Sequence, residues 1–341
     1  MNRRDILRAG MTMGVSQMAH CALMARDQVP RVMTVGGPIA PEQMGPTLPH
    51  EHILVDFIGA ARISRARYDA DEVSRVALPH LRRIREQGIR TLVECTPAYL
   101  GRDPALLRRL AEASGLNILT NTGYYGANGG KHLPEHAFTE SAEQLAARWL
   151  SEWREGIEGG GIRPGFIKIG TDAGPLPEVD RKLVRAAART HLASGLTIAA
   201  HSGDGTAAMQ ELEILREEGV APSAFIWVHA QNEPDAALHA KAAERGAWVE
   251  FDGIGPRMID RHVGLVRAMR SRGLLGRVLL SHDAGWYHVG EPGGGQYRPY
   301  DTLVTALVPA LEAAGLKAAE VDRLMRHNPR AAFAVQVRRA P

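Results

Sequence analysis

The stretch 165-GFIKIGTDAGPLPEVDRKLVRAAARTHLASGLTIAAHSGD-204 decides the fold. Two short apolar runs, "GFIKIGTD" and "LTIAAHSGD", flank an amphipathic segment, "PEVDRKLVRAAARTHLASG", that ends on Gly195 as helix C-termini often do. That is a strand, a helix and a second strand. The same unit recurs along the chain. Apolar runs begin at residues 52, 89, 116, 165, 196, 225, 247 and 277, starting with "HILVDF" and ending with "RVLLSHDAG". Eight strands alternating with helices over about 280 residues predict a single (β/α)8 barrel rather than an open doubly wound sheet. No GxGxxG follows the first strand, and there is no P-loop. The closing "AAEVDRLMRHNPRAAFAV" reads as a helix pair with a turn at "HNP". No linker or repeat divides residues 27–341, which form one expected domain.

Composition narrows the function classes. The apolar share, 45%, and the charged share, 23%, are ordinary for a globular protein. Arg3, Arg4, Arg8 and Arg26 against Asp5 give residues 1–26 a net charge of +3, leaving 37 basic and 37 acidic residues in the rest. The electrostatic argument for a nucleic-acid partner therefore disappears. The leader, with paired arginines before Ile6-Leu7, resembles a twin-arginine export signal, although Thr12, Ser16 and Gln17 interrupt its apolar stretch. An ordinary basic helix is the alternative, and "MAHC" around Cys21 is a poor lipoprotein site. The expected location is periplasmic or secreted, otherwise cytoplasmic. Beyond the leader only Cys95 remains, so neither an intrachain disulfide nor a thiolate metal cluster is available. No later segment has 18 uninterrupted apolar residues, so no membrane span is expected.

The chemistry sits where barrels keep it, at the C-terminal ends of the strands. In "TLPHEHILVDF", residues 47–57, His50 and His52 are two apart and share a face of one strand. Alone the pair decides nothing. Lys168, His201, His229 and Asp283 then each close an apolar run. Burying such groups without partners is costly, and four imidazoles with a carboxylate at one mouth suit a divalent metal. His282 should face away from Asp283. His80, His191, His239, His262 and His327 read as surface or packing residues. Lys168 is the odd member, because an ammonium repels cations. A desolvated neutral amine can add carbon dioxide to become an anionic carbamate; pairing with Asp172 or Glu94 is the alternative.

With these residues in place, the chain resembles the amidohydrolase superfamily, and within it the phosphotriesterase-related group that includes phosphotriesterase-like lactonases. The matching segments are "TLPHEHILVD", "GRDP", "NTGYY", "GFIKIGT", "HSG", "SHD" and "NPRAAF", across roughly residues 35–337. The resemblance implies two divalent metals. His50, His52 and Asp283 would hold the more buried one and His201 and His229 the other, with carboxylated Lys168 bridging both. Zinc is the expected metal; manganese, cobalt and iron fit the same ligands. The implied reaction is hydrolysis, a bridging hydroxide attacking carbon or phosphorus with Asp283 as general acid/base. Tyr125, with Tyr124 beside it, matches a tyrosine that positions substrate in the lactonase-like members. Those members also carry an arginine after the strand-seven aspartate; here Gly253 follows Asp252 and Arg257 comes later. The loop "GWYHVGEPGGGQYRPYD" offers Trp286, Tyr287 and His288 as a pocket wall, with loop packing the alternative.

The expectation is thus a binuclear hydrolase of a lactone or other small carboxylic ester, with phosphotriesterase side activity. A phosphotriesterase main activity and a mononuclear amide hydrolase or deaminase are the alternatives. A homodimer is the expected macromolecular association.

Overall fold

The computed structural model describes residues 30–341; the leader, with the expected export signal, lies outside the described residues. Eight parallel strands form the barrel: β1 (Thr47–Glu51), β2 (Thr91–Glu94), β3 (Asn117–Leu119, carried on by Asn121–Thr122), β4 (Phe166–Thr171), β5 (Ile198–Ser202), β6 (Phe225–Val228), β7 (Trp248–Phe251) and β8 (Val278–Leu280). Each pairs with the next. The ring closes between the ends of β8 and β1, where Asp283 N–H donates to the His50 carbonyl at 3.1 Å and His52 N–H to the Ala284 carbonyl at 2.9 Å. The closure is therefore made by the same residues that carry the expected metal ligands.

Helices α1 (Ala70–Glu86), α2 (Pro104–Ser114), α3 (Ala142–Glu155), α4 (Glu178–Ser194), α5 (Gly205–Glu217), α6 (Ala236–Glu244) and α7 (Ile259–Ser271) lie between the strands. Their N-termini follow from sequence: Asp69, Asp103, Ser141, Asp204 and Asp235 each cap a helix by accepting from its first-turn N–H groups. The amphipathic faces of the helices bury leucines such as Leu81, Leu110, Leu145 and Leu183 against the outer surface of the strands.

The barrel interior changes character along its axis. At the N-terminal end Val93, Leu119, Phe166, Ala199, Ile226, Trp248 and Leu279 pack with Val32 and Met44 from the N-terminal segment and Phe333 from the last helix. Phe166 and Phe333 meet edge-to-face at 5.5 Å. Strand side chains alternate, so the same inward rows continue upward as Lys168 above Phe166, His201 above Ala199, and Glu250 above Trp248. An apolar plug thus supports a polar mouth.

Two local expectations need correction. The run "HILVDF" is not the first strand: β1 ends at Glu51, and Leu54–Val55 instead pair with Tyr287–His288. The reason is a register shift between Leu48 and Glu51, a bulge that bends the chain out of the barrel wall. The closing segment is not two helices with a turn, because the backbone stays helical from Ala318 to Phe333. A wider π-type turn at Arg323–His327 lets the helix accommodate Pro329, which has no N–H to give. His191, His239 and His262 are fully interior, and the last two bond the carbonyls of Ala230 and Asp252, beside the mouth.

Candidate metal centre

His50 and His52 reach the same point. Their Nε2 atoms lie 3.8 and 3.1 Å from Asp283 Oδ1, and these three groups offer ligand atoms all within 4.8 Å of one another. The opposite ring nitrogens are occupied. His50 Nδ1 donates to Glu250 Oε1 at 2.7 Å, and His52 Nδ1 meets Thr96 Oγ1 at 2.7 Å. The Thr96 hydroxyl donates to the Leu54 carbonyl, so it accepts from the imidazole. His229 Nδ1 donates to Asp252 Oδ1 at 2.6 Å. In all three rings Nδ1 is the nitrogen engaged by the protein, so Nε2 is the atom turned to a metal, the usual arrangement of metal-binding histidines.

Two backbone devices aim these side chains. Val228 faces the interior, so simple alternation would turn His229 outward; its left-handed φ of 62° brings it back to the mouth. Asp283 is left-handed as well, at 53°. Each such residue costs about 1–3 kcal/mol and persists where the surroundings enforce it. Gly285 is required next to it, since a Cβ there would overlap the His52 carbonyl and the Tyr300 hydroxyl.

The remaining members complete one cluster. The rings of His50 and His229 are 5.0 Å apart, and those of His229 and His201 are 4.6 Å apart. Burial, with His229 and Lys168 adding to it, holds the His201 pKa well below its ordinary value, which favours the neutral, ligating form. Burial likewise takes His52 down to about 4. For His50, burial and Lys168 act downward, but the carboxylates of Asp252 and Glu250 prevail and raise it to about 10. Lys168 is buried, and among the described residues it has no ion pair or hydrogen bond. Asp172 is taken up by the N–H groups of Asn128 and Gly129, and Glu94 by those of Ile53 and Thr96.

Whether these groups suit a cation can be judged from Asp283. Its Oδ1 is buried and receives no well-formed hydrogen bond, although His52 Nε2 is 3.1 Å away. An orphaned carboxylate oxygen facing the Nε2 atoms of two imidazoles is a donor set for a divalent cation, which would displace the proton that His50 Nε2 holds in the metal-free protein. His50, His229 and Asp252 also come together, but through the Nδ1 atoms already hydrogen-bonded to carboxylates, so that grouping supports the ligands from behind.

Around the mouth, Tyr125 places its phenol oxygen 3.2 and 3.3 Å from the two ring nitrogens of His201, its ring lying on the backbone of Gly170. Trp286 packs 4.5 Å from His52 and stacks on Phe57 and His288. Two other expected substrate residues are not brought to this rim. Tyr124 bonds His136 and lines a separate cavity of about 270 Å³ that contains none of the six ligands. Tyr287 packs under Gly294 within the core around α1. Arg257 is exposed. Sequence reading missed Glu51, Thr96, Glu250 and Asp252. Glu51 is fully buried and accepts from Ser281 Oγ, both the backbone N–H and Nδ1 of His282, and the Ala284 N–H, tying β1 to β8. An acidic residue inside an apolar strand was the available signal for Glu51 and Glu250.

Comparison with known proteins agrees with this geometry. The model of the phosphotriesterase family matches residues 30–333. The phosphotriesterase homology protein of Escherichia coli is 31% identical over 84% of this chain and 96% of its own. An aryldialkylphosphatase of Saccharolobus solfataricus is 26% identical (86% and 96% covered), and the rat N-acetyltaurine hydrolase 27% identical (88% and 97%). Among solved structures, a mutant organophosphorus hydrolase from Deinococcus radiodurans superposes with a TM-score of 0.81 at 29% identity, covering 89% of this chain and 97% of that one. A structure described as organophosphate hydrolysis engineered from a weak promiscuous lactonase template gives 0.81 at 28% identity, covering 89% and 100%. With the family model spanning nearly the whole described chain, and with relatives named as hydrolases, this protein is a hydrolase and belongs to the phosphotriesterase family.

Proposed function

We propose that the chain is a binuclear metal-dependent hydrolase of carboxylic esters, with a lactone as the preferred substrate class and phosphotriester cleavage as a side activity. The observation that carries this is the convergence of two Nε2 atoms and the orphaned Asp283 Oδ1 beside His229, His201 and an unpaired Lys168. His50, His52 and Asp283 would hold one cation, and His201 and His229 the other. The Lys168 amine adds to the carbon of carbon dioxide, forming an N–C bond and releasing a proton to water. The resulting carbamate would supply an anionic ligand between the two cation positions. Zinc is the metal proposed.

Bound cations supply an activated water near neutral pH and polarise the carbonyl of the substrate. The chain does the rest. Asp283 stands where its carboxylate can take the proton released during attack and return it to the leaving alkoxide. Tyr125, with its hydroxyl at His201, orients the polar end of the substrate. The Phe57–Trp286 stack, with centroids 5.5 Å apart, covers the rim and limits water entry to the acyl or alkoxy group. Relatives named for phosphotriester cleavage and a lactonase template support the ester class and its side activity.

Metal content and hydrolysis of a lactone, ester, amide and phosphotriester panel test this for wild type and Lys168→Ala. Two metals per chain, lactone as the best substrate, and activity lost in the variant support the proposal. One metal at saturation, or a fully active variant, overturns the binuclear mechanism, and a dominant phosphotriester or amide rate overturns the substrate class. We propose also that residues 1–26 direct twin-arginine export. Changing Arg3 and Arg4 to Lys should retain the protein in the cytoplasm, and normal export of that variant removes the assignment.

A further inference from the structure

Strand β7 reads Trp248-Val249-Glu250-Phe251, three large apolar residues around one glutamate that is 1% exposed. A carboxylate in such a setting loses its hydration and is tolerated only with a strong partner. Among the described residues Glu250 takes no backbone N–H, arginine or lysine; its one hydrogen bond is to His50 Nδ1 at 2.7 Å. Neighbouring Asp252 lies 3.3 Å from the same nitrogen, but it is engaged by the His229 N–H, His229 Nδ1 and Gln231 Nε2. An apolar residue would fill the strand at lower cost, so the glutamate's role lies in what it does to His50.

We propose that Glu250 is a positioning residue for the cation held on His50: it fixes the proton on Nδ1, sets the ring plane, and through the ring makes Nε2 a more basic donor. This rests on the metal reading above but needs only one cation on His50, whether or not a second is present. The backing is graded across the centre. His50 and His229 each have a carboxylate, His52 has the neutral Thr96 hydroxyl, and His201 meets the neutral Tyr125 phenol.

Cobalt(II) serves as probe. Cobalt-loaded full-length protein is titrated with a competing chelator while its visible absorption reports occupancy. Glu250→Gln keeps an acceptor oxygen at the same reach and removes only the charge; it should weaken one cobalt by about 10-fold, and Glu250→Leu by about 100-fold. Thr96→Val, which removes a neutral acceptor, should weaken binding less than Glu250→Leu does. Thermal melting in excess chelator separates a structural role: Glu250→Gln, which keeps an acceptor for His50 Nδ1, should melt near wild type there, whereas Glu250→Leu strands that N–H and should melt earlier. Unchanged cobalt affinity in both Glu250 variants overturns the inference, as does a metal-free melting loss in Glu250→Gln that parallels its affinity loss. Wild type binding one cobalt rather than two would sink the binuclear reading and leave this inference standing.

Discussion

The two ends of the barrel are built from the same strands and obey opposite rules. At the N-terminal end the inward residues are Phe166, Ala199, Ile226 and Trp248, sealed by Met44 and Phe333; every one is apolar and fully or nearly buried. One step higher, the same rows present Lys168 and Glu250, equally buried but charged, and the half-buried His201. Burial alone therefore does not distinguish core from site. The partners do. Below, side chains touch other hydrocarbon; above, His50, His52 and His229 are each wired to one acceptor and turn the other nitrogen to the mouth. The lower end is optimised for folding, and the upper end accepts strain and desolvation to hold a donor set ready.

The largest expected effect sets the ends apart by activity. Asp283→Asn keeps the shape of the side chain but lowers its basicity and its charge. We expect a loss of about 10³-fold or more in kcat, roughly 4 kcal/mol of barrier, while the metal-free protein melts within a few degrees of wild type. Steady-state kinetics and calorimetry on the same preparation check this. A variant that melts much earlier would mean that Asp283 is structural and that the two ends are not so different. The mirror experiment is Phe166→Ala. Removing this ring from the sealed end should cost about 3–5 kcal/mol in denaturant unfolding, while metal stoichiometry and kcat of the folded fraction stay within about twofold. A large loss of kcat there would show that the plug transmits its packing to the mouth.

What the sequence displayed was the order of elements and the polar residue at each strand end. Apolar runs leading into Lys168, His201 and Asp283 can be read one strand at a time, since each is a local pattern. The supports could not be read that way. Glu250 meets His50 across 200 residues, Glu51 meets His282 across 231, and Thr96 meets His52 across 44, so each pairing exists only after the ring has closed. The break in the first strand was hidden for a related reason. Leu54 and Val55 are as strand-like as their neighbours, and only the bulge before Glu51 and the later arrival of Tyr287 decide where they pair. The left-handed turns at His229 and Asp283 leave no mark in residue type at all, because neither position is a glycine.

A smaller effect tests the hinge between the closing strand and the metal centre. Gly285→Ala places a methyl group against the His52 carbonyl and the Tyr300 hydroxyl at a φ of 92°. We expect about 1–3 kcal/mol of destabilisation together with about a tenfold weaker cation affinity, as His52 is pushed off its position. Loss of stability with unchanged affinity would separate the barrel closure from the ligands it carries.

The smallest effect lies just behind the mouth and turns on pH. Glu211 on α5 is fully buried and accepts from the hydroxyls of Ser202 and Thr171, which flank the upper ends of β5 and β4. Burial raises its pKa from 4.5 to about 8. A carboxyl whose folded pKa lies above its unfolded one favours the native state when protonated. That contribution is complete below the unfolded value and is lost as pH rises through the folded value. Wild type should therefore lose stability from this group between about pH 4.5 and 8. Glu211→Gln retains an acceptor for one hydroxyl and cannot ionise, so the difference in unfolding free energy between variant and wild type should grow in the variant's favour across that window. Denaturant unfolding of both proteins at several pH values isolates the term, because the metal ligands titrate alike in each. A constant difference would mean that Glu211 stays ionised in its buried setting, with Ser202 and Thr171 together solvating the charge as well as water does.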